Sequence, residues 1–178
     1  MGIGWQTDYG EHRKASVTYH AELAERPIAP HCFGKLVCFH NMIMDTNQKG
    51  KITELEVLSY VIKLGYSVSI PFGDKDRYDQ IWDVNGKLIR VQIKTSRAKN
   101  EEQTAIIFRC SSKSNGTEHY YSAKEIDYFA TFWDGRVYLI PINECSSEKT
   151  LWFVPPKNGC KNCSYAENYQ VERMLNTI

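Results

Sequence analysis

The stretch that decides the fold is YDQIWDVNGKLIRVQIKT, residues 78–95. Apolar and polar side chains alternate on both sides of Asn85-Gly86, a pattern typical of two antiparallel strands joined by a two-residue turn. In such a hairpin the residue numbers of each opposed pair have a constant sum, which places Asp79 opposite Gln92. Lys94 lies two residues beyond Gln92, so its side chain points to the same face of the sheet.

This register predicts a polar patch on one face of the hairpin. Directly opposed residues have Cβ atoms about 4.5–5.5 Å apart, so a carboxylate, a carboxamide and an ammonium group come together at Asp79, Gln92 and Lys94. The intervening residues, Val91 and Ile93, point the other way, into the predicted core.

A helix precedes the hairpin. Ile52, Leu55, Leu58 and Ile62 recur at steps of three and four residues, which predicts a helix of about four turns that buries this stripe and ends at Gly65. Glu54 lies near the start of this helix, beside the predicted buried stripe. We therefore expect its carboxylate to face the sheet and to join the polar patch.

The remaining segments predict further strands around the hairpin. A second two-residue turn is predicted at Asp134-Gly135, and Ser122-x-x-Glu125 predicts a capped helical turn. The expected strands are YSVSI (66–70), TAIIFRC (104–110), FATFW (129–133), RVYLI (136–140) and LWFV (151–154). A helix followed by a twisted mixed sheet indicates an α/β or α+β domain.

The polar patch has the groups that metal-dependent phosphodiester hydrolysis requires. Mg²⁺ prefers oxygen ligands and keeps several waters. We expect Asp79, the amide oxygen of Gln92 and the carbonyl of Ile93 to bind it, and Glu54 to bind a second metal or orient its water. Lys94 is expected to position or deprotonate the attacking water and to offset charge at the transition state.

The spacing E(x24)D(x12)QxK, on helix, strand and strand, resembles the PD-(D/E)XK nuclease superfamily. Residues 47–96 resemble in particular the branch that contains a group I intron homing endonuclease, and a weaker resemblance extends the match to roughly residue 170. Two positions depart from the usual pattern: Gln92 replaces the usual acid, as in that branch, and Tyr78 replaces the usual proline.

The resemblance implies an α/β, restriction-endonuclease-like fold with a mixed central sheet flanked by helices. It implies a site-specific, double-strand DNA endonuclease with Glu54, Asp79, Gln92 and Lys94 as catalytic residues, and Mg²⁺ or substituting Mn²⁺ as cofactor. A homing endonuclease is the preferred subtype. The alternatives are a Holliday-junction resolvase or DNA-repair nuclease of the same fold, and a DNA-binding relative that has lost catalysis. Because two strand cuts need two active sites, a homo-oligomer, dimer or tetramer, is expected.

The charge distribution limits where DNA is expected to bind. The formal net charge is only +1, which excludes a globally basic, histone-like protein and leaves local clusters as the means of contact. The candidate DNA-contacting residues, in and around the hairpin, are Arg77, Arg90, Arg97 and Lys99.

The first 46 residues show no sustained helical or strand periodicity, so residues 1–46 are interpreted as an extension and 47–178 as the nuclease domain. The sequence contains no apolar run long enough to cross a bilayer and no secretory signal, which predicts a cytoplasmic protein without membrane contact. Cys160-x-x-Cys163 is a single tight pair, and the more distant Cys32 and Cys38 do not complete it. We therefore expect reduced thiols rather than a zinc site.

Overall fold

The computed structural model of the chain describes residues 45–73, 75–157, 159 and 162–178. The described elements, in chain order, are α1 (Thr46–Lys63), β1 (Ser67–Ser69), β2 (Gln80–Val84), β3 (Lys87–Ile93), β4 (Arg97–Ala98), β5 (Ala105–Arg109), β6 (Ser111–Ser114), β7 (Thr117–Tyr120), β8 (Tyr128–Trp133), β9 (Arg136–Pro141), a 3-10 helix (Ile142–Glu144), β10 (Glu148–Trp152), a second 3-10 helix (Ala166–Tyr169) and α2 (Val171–Leu175).

The β2–β3 hairpin has the register that the sequence predicts. Val84 pairs with Lys87 next to the turn, and Gln80 pairs with Val91 at the far end. The turn residues Asn85 and Gly86 both have positive φ, 54° and 88°, the conformation that favours Asn-Gly in two-residue turns. The predicted register of the hairpin, which depended on this turn, is therefore confirmed.

The central sheet is mixed. The described residues form five strands in the order β1-β2-β3-β8-β9, in which β3 and β8 run parallel and the other neighbours run antiparallel. Beside it, β10, β5 and β4 form a second sheet, and β6 and β7 form a separate hairpin. This is the predicted α/β class with a mixed central sheet.

Two hydrophobic cores cover the two faces of the central sheet. The first packs the helices against it, and includes Val57, Val61, Trp82, Val91, Ile93, Leu139 and Leu175. The second packs the β5–β10 sheet against it, and includes Ile106, Phe108, Phe129, Tyr138, Ile140 and Leu151. Val91 and Ile93 point into the first core, as predicted, so Gln92 and Lys94 lie on the second face.

The prediction of which side of α1 is buried is wrong. Ile52, Leu55 and Ile62 are 44%, 63% and 54% exposed, whereas the buried residues of α1 are Thr53, Val57 and Val61. The helix begins after Asp45, whose carboxylate accepts a hydrogen bond from the Gln48 N–H in a capping box. Its orientation is set by the fit of the small β-branched side chains against the sheet, which leaves the larger apolar stripe outside.

Most other predicted strands are found within a residue or two, but β10 begins at Glu148, three residues before the predicted strand at 151–154. The Ser122–Glu125 segment forms the predicted capped helical turn: the Ser122 N–H donates to the Glu125 carboxylate at 2.9 Å, and the Ile126 N–H donates to the Ser122 carbonyl at 3.1 Å. The β6–β7 hairpin was not predicted, although Asn115-Gly116 marks its turn.

All described residues belong to the compact unit Ile43–Ile178. Among them, no helix has the length and apolar character needed to span a membrane.

Candidate active site

Asp79 lies immediately before β2, where its backbone and side chain both contact β3. Its N–H donates to the Val91 carbonyl at 2.9 Å. Its carboxylate oxygen Oδ2 accepts hydrogen bonds from the Ile93 N–H at 2.6 Å and from the Gln92 amide nitrogen at 2.5 Å. The expected adjacency of Asp79 and Gln92 is therefore found in the structure.

Gln92 lies between the two oxygens that the sequence predicts as cation ligands. Its side chain is only 8% exposed, and its Nε2 lies 2.5 Å from Asp79 Oδ2 and 3.4 Å from the Ile93 carbonyl oxygen. Two oxygens thus converge on one nitrogen of a neutral amide. A half-turn of this amide would direct its own oxygen, Oε1, towards the same position.

Lys94 completes the patch at its rim. The Lys94 N–H donates to the Ala130 carbonyl on β8 at 2.9 Å, which fixes the backbone where β3 ends. The ammonium Nζ donates to the Tyr121 hydroxyl at 3.0 Å and lies 4.8 Å from the centre of that ring. The positive charge of Lys94 offsets part of the rise in pKa that burial causes at Asp79 and Glu54, so it acts on both carboxylates.

Glu54 reaches the patch from α1. Its side chain is half-buried, and its backbone carbonyl accepts a hydrogen bond from the Gln80 amide at 3.2 Å. Gln80 is itself buried and its amide oxygen accepts a hydrogen bond from the Trp82 indole at 2.8 Å. A buried amide on β2 therefore holds the first half of α1 beside the hairpin.

Both carboxyl groups are less acidic than usual. Burial is the main cause for Asp79 and raises its pKa, against the lowering effects of the Ile93 N–H, Lys94 and the Gln92 amide. Burial also raises the pKa of Glu54, and the nearby charge of Asp79 raises it further. Two partly buried carboxylates that repel each other form a site that favours an added cation.

The donor set fits a hard divalent cation. The available ligands are carboxylate, carbonyl and amide oxygens, which Mg²⁺ and Mn²⁺ prefer. No cluster of three or more His, Cys, Asp or Glu side chains suited to a metal exists in the part of the chain that the structure describes. A cation here would therefore depend on Asp79, backbone and amide oxygens, and water.

Tyr121 is a site neighbour that the sequence did not reveal, and it contacts Arg77, one of the predicted DNA-contacting residues. The guanidinium of Arg77 lies 4.2 Å from the centre of the Tyr121 ring and forms an ion pair with Glu125 at 3.0 Å. The Tyr121 ring packs edge-on against Phe129, with ring centres 5.4 Å apart. Tyr121 has no motif of its own, and its role follows only from the folding of the segment after β7 over the end of β3.

The predicted DNA-contacting residues divide into two pairs. Arg90 donates to both carboxylate oxygens of Asp127, at 2.8 and 3.1 Å, so its guanidinium, like that of Arg77, is occupied by contacts within the protein. Lys99 lies over the Trp152 ring at 5.1 Å with an exposed side chain, and Arg97 is exposed.

The zinc alternative falls mostly outside the described residues. Cys160, Cys32 and Cys38 all lie there, so the expectation of reduced thiols stays a prediction.

Comparisons with known proteins identify the family and the fold. A family model described as PD-(D/E)XK endonuclease matches residues 44–172 of the chain. A solved structure described as that of a bacterial homing endonuclease, I-Ssp6803I, has a TM-score of 0.60 and 21% sequence identity to this chain, and the match covers 75% of this chain and 93% of that one. A search of curated proteins finds no match. At this identity the structural likeness concerns the fold.

Proposed function

Because this chain belongs to the PD-(D/E)XK endonuclease family, we propose that it is a Mg²⁺-dependent endonuclease that cuts double-stranded DNA at a specific site. The observation that carries the proposal is the convergence of Asp79 and Gln92 on one point, with Lys94 and Glu54 beside it. The preferred subtype, a homing endonuclease, is supported by the resemblance of residues 47–170 to that branch.

The residues that would hold the cation are those whose oxygens converge. Asp79 Oδ2 and the Ile93 carbonyl face the same position, and the Gln92 amide can supply Oε1 after a half-turn. Glu54 adds a second negative charge beside Asp79. When bound, Mg²⁺, or Mn²⁺ in its place, supplies Lewis-acid polarisation of the scissile phosphate and acidifies a water.

Lys94 is the proposed electrostatic catalyst. Negative charge builds on the phosphate oxygens as the water attacks, and an ammonium held in place stabilises that charge more in the transition state than in the bound substrate. Its hydrogen bond to Tyr121 at 3.0 Å restricts where the ammonium lies. Lys94 is also placed to orient the attacking water.

Arg97 and Lys99 are the proposed phosphate contacts. Both are exposed and follow Lys94 closely in the chain, and neither is committed to a carboxylate in the described structure. Contacts of this kind position the duplex without reading its sequence. DNA bound along this segment would bring a phosphate to the catalytic patch.

We also propose that the nuclease domain, residues 47–178, works as a homo-oligomer. Two strand cuts require two active sites. The exposed apolar side chains of α1, Ile52, Leu55 and Ile62, offer a surface that a second copy would cover. A change of Leu55→Glu should lower the oligomer mass measured by light scattering if this surface is used.

The test is cleavage of supercoiled plasmid and genomic fragments by the full chain in Mg²⁺, Mn²⁺ or EDTA. We expect double-strand cuts with either metal and none in EDTA, loss of cutting in Asp79→Asn, and a shared sequence at the cut ends. Binding without cleavage in any metal would instead indicate a DNA-binding relative. Cleavage restricted to a synthetic four-way junction would indicate a resolvase.

A further inference from the structure

A cavity lies apart from the catalytic patch. It has a volume of about 630 Å³ and opens between the β8–β9 turn, the end of β10 and the 3-10 helix at Ala166–Tyr169. Five aromatic side chains line it: the buried Tyr138 and the partly exposed Trp133, Trp152, Phe153 and Tyr165. Partly exposed aromatic rings grouped around a cavity are typical of a ligand-binding surface.

The cavity lies on the same sheet face as Lys94. Tyr121 contacts both Lys94 and Phe129, so these two side chains share a face. Because side chains alternate along a strand, Trp133 points to that face as well. Ile93 pairs with Ala130 in the parallel ladder. The next residues along the two strands, Lys94 and Thr131, therefore lie at the same level, and Thr131 is two residues before Trp133.

The separation along the sheet matches a short step along DNA. Two residues of strand span about 7 Å, which is close to the axial rise of two base pairs, about 3.4 Å each. With its axis along β8, a duplex that has a phosphate at Lys94 would have the nucleotide two steps along at the level of Trp133.

Positive charge lies at the rim of the cavity and not throughout it. Lys99 Nζ lies 5.1 Å from the Trp152 ring centre and 3.2 Å from the Thr150 hydroxyl, and Arg136 lines the cavity. Asp134 and Glu167 also line it. Their carboxylates disfavour a phosphate inside, whereas a neutral base can enter while its phosphate stays near Lys99.

The lining has the two features needed to bind a nucleobase. Aromatic faces stack on any base, and the amide groups of Gln103 and Gln170 can hydrogen-bond to a base edge. On the premise that the proposed function is correct, we infer that this aromatic cavity receives an unstacked nucleobase of the DNA, close to the phosphate that is cut. The substrate would then be held with one nucleotide turned out of its stack.

Photocrosslinking tests the position of the base. The full chain is irradiated in EDTA, where cleavage is blocked, with a single-stranded thymidine oligonucleotide that carries 5-iodouracil, and crosslinked peptides are identified by mass spectrometry. Crosslinks to Trp133, Trp152 or Tyr165 are expected. Crosslinks confined to residues outside the cavity, or no crosslink at all, would overturn the inference.

Binding of the same oligonucleotide, followed by fluorescence anisotropy, gives a second measurement. We expect Trp152→Leu and Tyr165→Leu to weaken binding about tenfold each, and Trp152→Phe to restore most of it. Tyr120→Leu is the matched control, because Tyr120 is 57% exposed and lies outside the cavity. Folding of each variant is checked by thermal melting, and a folded pair of cavity variants with unchanged affinity would refute the proposal.

The two proposals fail separately. If the wild-type chain cuts plasmid DNA but the cavity variants bind the oligonucleotide normally, the base-binding inference alone is wrong. If crosslinks map to the cavity but no metal supports cleavage, the proposed catalysis is wrong and the cavity assignment stands.

Discussion

The hydroxyl oxygens of Thr53 and Thr95 lie 3.0 Å apart, across the boundary between α1 and the end of β3. Each threonine is the chain neighbour of a proposed catalytic residue, Glu54 in the first case and Lys94 in the second. Thr53 is 7% exposed, and its hydroxyl also donates to the Lys49 carbonyl at 2.9 Å. One hydrogen bond thus fixes the helix that carries Glu54 to the strand end that carries Lys94.

We expect Thr53→Val to lower both stability and the cleavage rate. The substitution keeps the shape of the side chain but removes the hydrogen bond, at a cost of about 1 kcal/mol in the free energy of unfolding. Single-turnover cleavage should slow several-fold with DNA affinity unchanged, because Glu54 loses its fixed position. Thr95→Val should give the same rate loss, and the double variant should be no slower than either single one. Thr177→Val, which removes a hydroxyl outside the site, serves as the control.

Lys94→Ala should reduce cleavage by about 100-fold or more while folding and DNA affinity are largely kept. The ammonium is proposed to act on charge that develops during the reaction and not on ground-state binding. Lys87→Ala, at the opposite end of the same strand, is the matched control and should cleave normally. A Lys94→Ala protein that retains more than about a tenth of the wild-type rate would remove Lys94 from the mechanism.

Tyr121→Phe should lower kcat several-fold and leave KM unchanged. The substitution removes the hydroxyl that accepts the Lys94 hydrogen bond but keeps the ring that packs against Arg77 and Phe129. A change in KM, or a large loss of stability, would instead point to a structural role. Tyr120→Phe, on the neighbouring exposed residue, should change neither constant.

Gln92→Glu should shift the Mg²⁺ concentration for half-maximal cleavage downward, and Gln92→Ala should shift it upward. A carboxylate binds a hard cation more strongly than an amide oxygen does. The maximal rate of Gln92→Glu should stay the same or fall, because the added charge lies beside Asp79 and repels the scissile phosphate. If both titrations match the wild-type curve, Gln92 is not a ligand.

Arg90 and Arg97 should behave differently when each is changed to Gln. The Arg90 hydrogen bonds, the largest influence on Asp127, hold the pKa of that carboxyl below its usual range. A carboxyl with a lowered folded pKa stabilises the protein above its unfolded pKa, and this stabilisation is lost as pH falls through the folded value. Arg90→Gln should therefore lower the stability by about 1 kcal/mol at neutral pH. In acid the part of this loss that comes from Asp127 should disappear, and the part that comes from the lost hydrogen bonds to the Ala123 and Lys124 carbonyls should remain.

DNA affinity is the contrasting measurement for this pair. Arg97→Gln should leave stability unchanged, weaken DNA binding and reduce the slope of affinity against salt by about one. Equal losses of DNA affinity in the two variants would show that Arg90 also contacts DNA.

The pairing of each residue in the hairpin was predictable because a two-residue Asn-Gly turn allows only one register between the two strands. From that register the adjacency of Asp79, Gln92 and Lys94 followed. The packing face of α1 was not predictable in the same way, because the helix carries a second stripe of small β-branched residues, Thr53, Val57 and Val61, on another side. Packing against the central sheet determines which of the two stripes is buried.

The contact of Tyr121 with Lys94 could not be predicted from the sequence for a different reason. It is separated from Lys94 by the β4–β7 region, and no periodicity connects them. The β6–β7 strands that lead to it are mostly polar and exposed, so they carry little of the alternation that marks a strand. Their Asn115-Gly116 turn was the one available signal.

The two-residue turn at Asn85-Gly86 also limits how the gene can change. A residue inserted into β3 between the turn and Gln92 would send Gln92 and Lys94 to the opposite face and bring Val91 and Ile93 out of the core. Such a protein would lose its reaction centre and its packing in a single step. Length variation among homologues should therefore be absent from residues 80–94 and be found instead in connections such as residues 99–104, where the chain can lengthen without changing which side chains face the substrate.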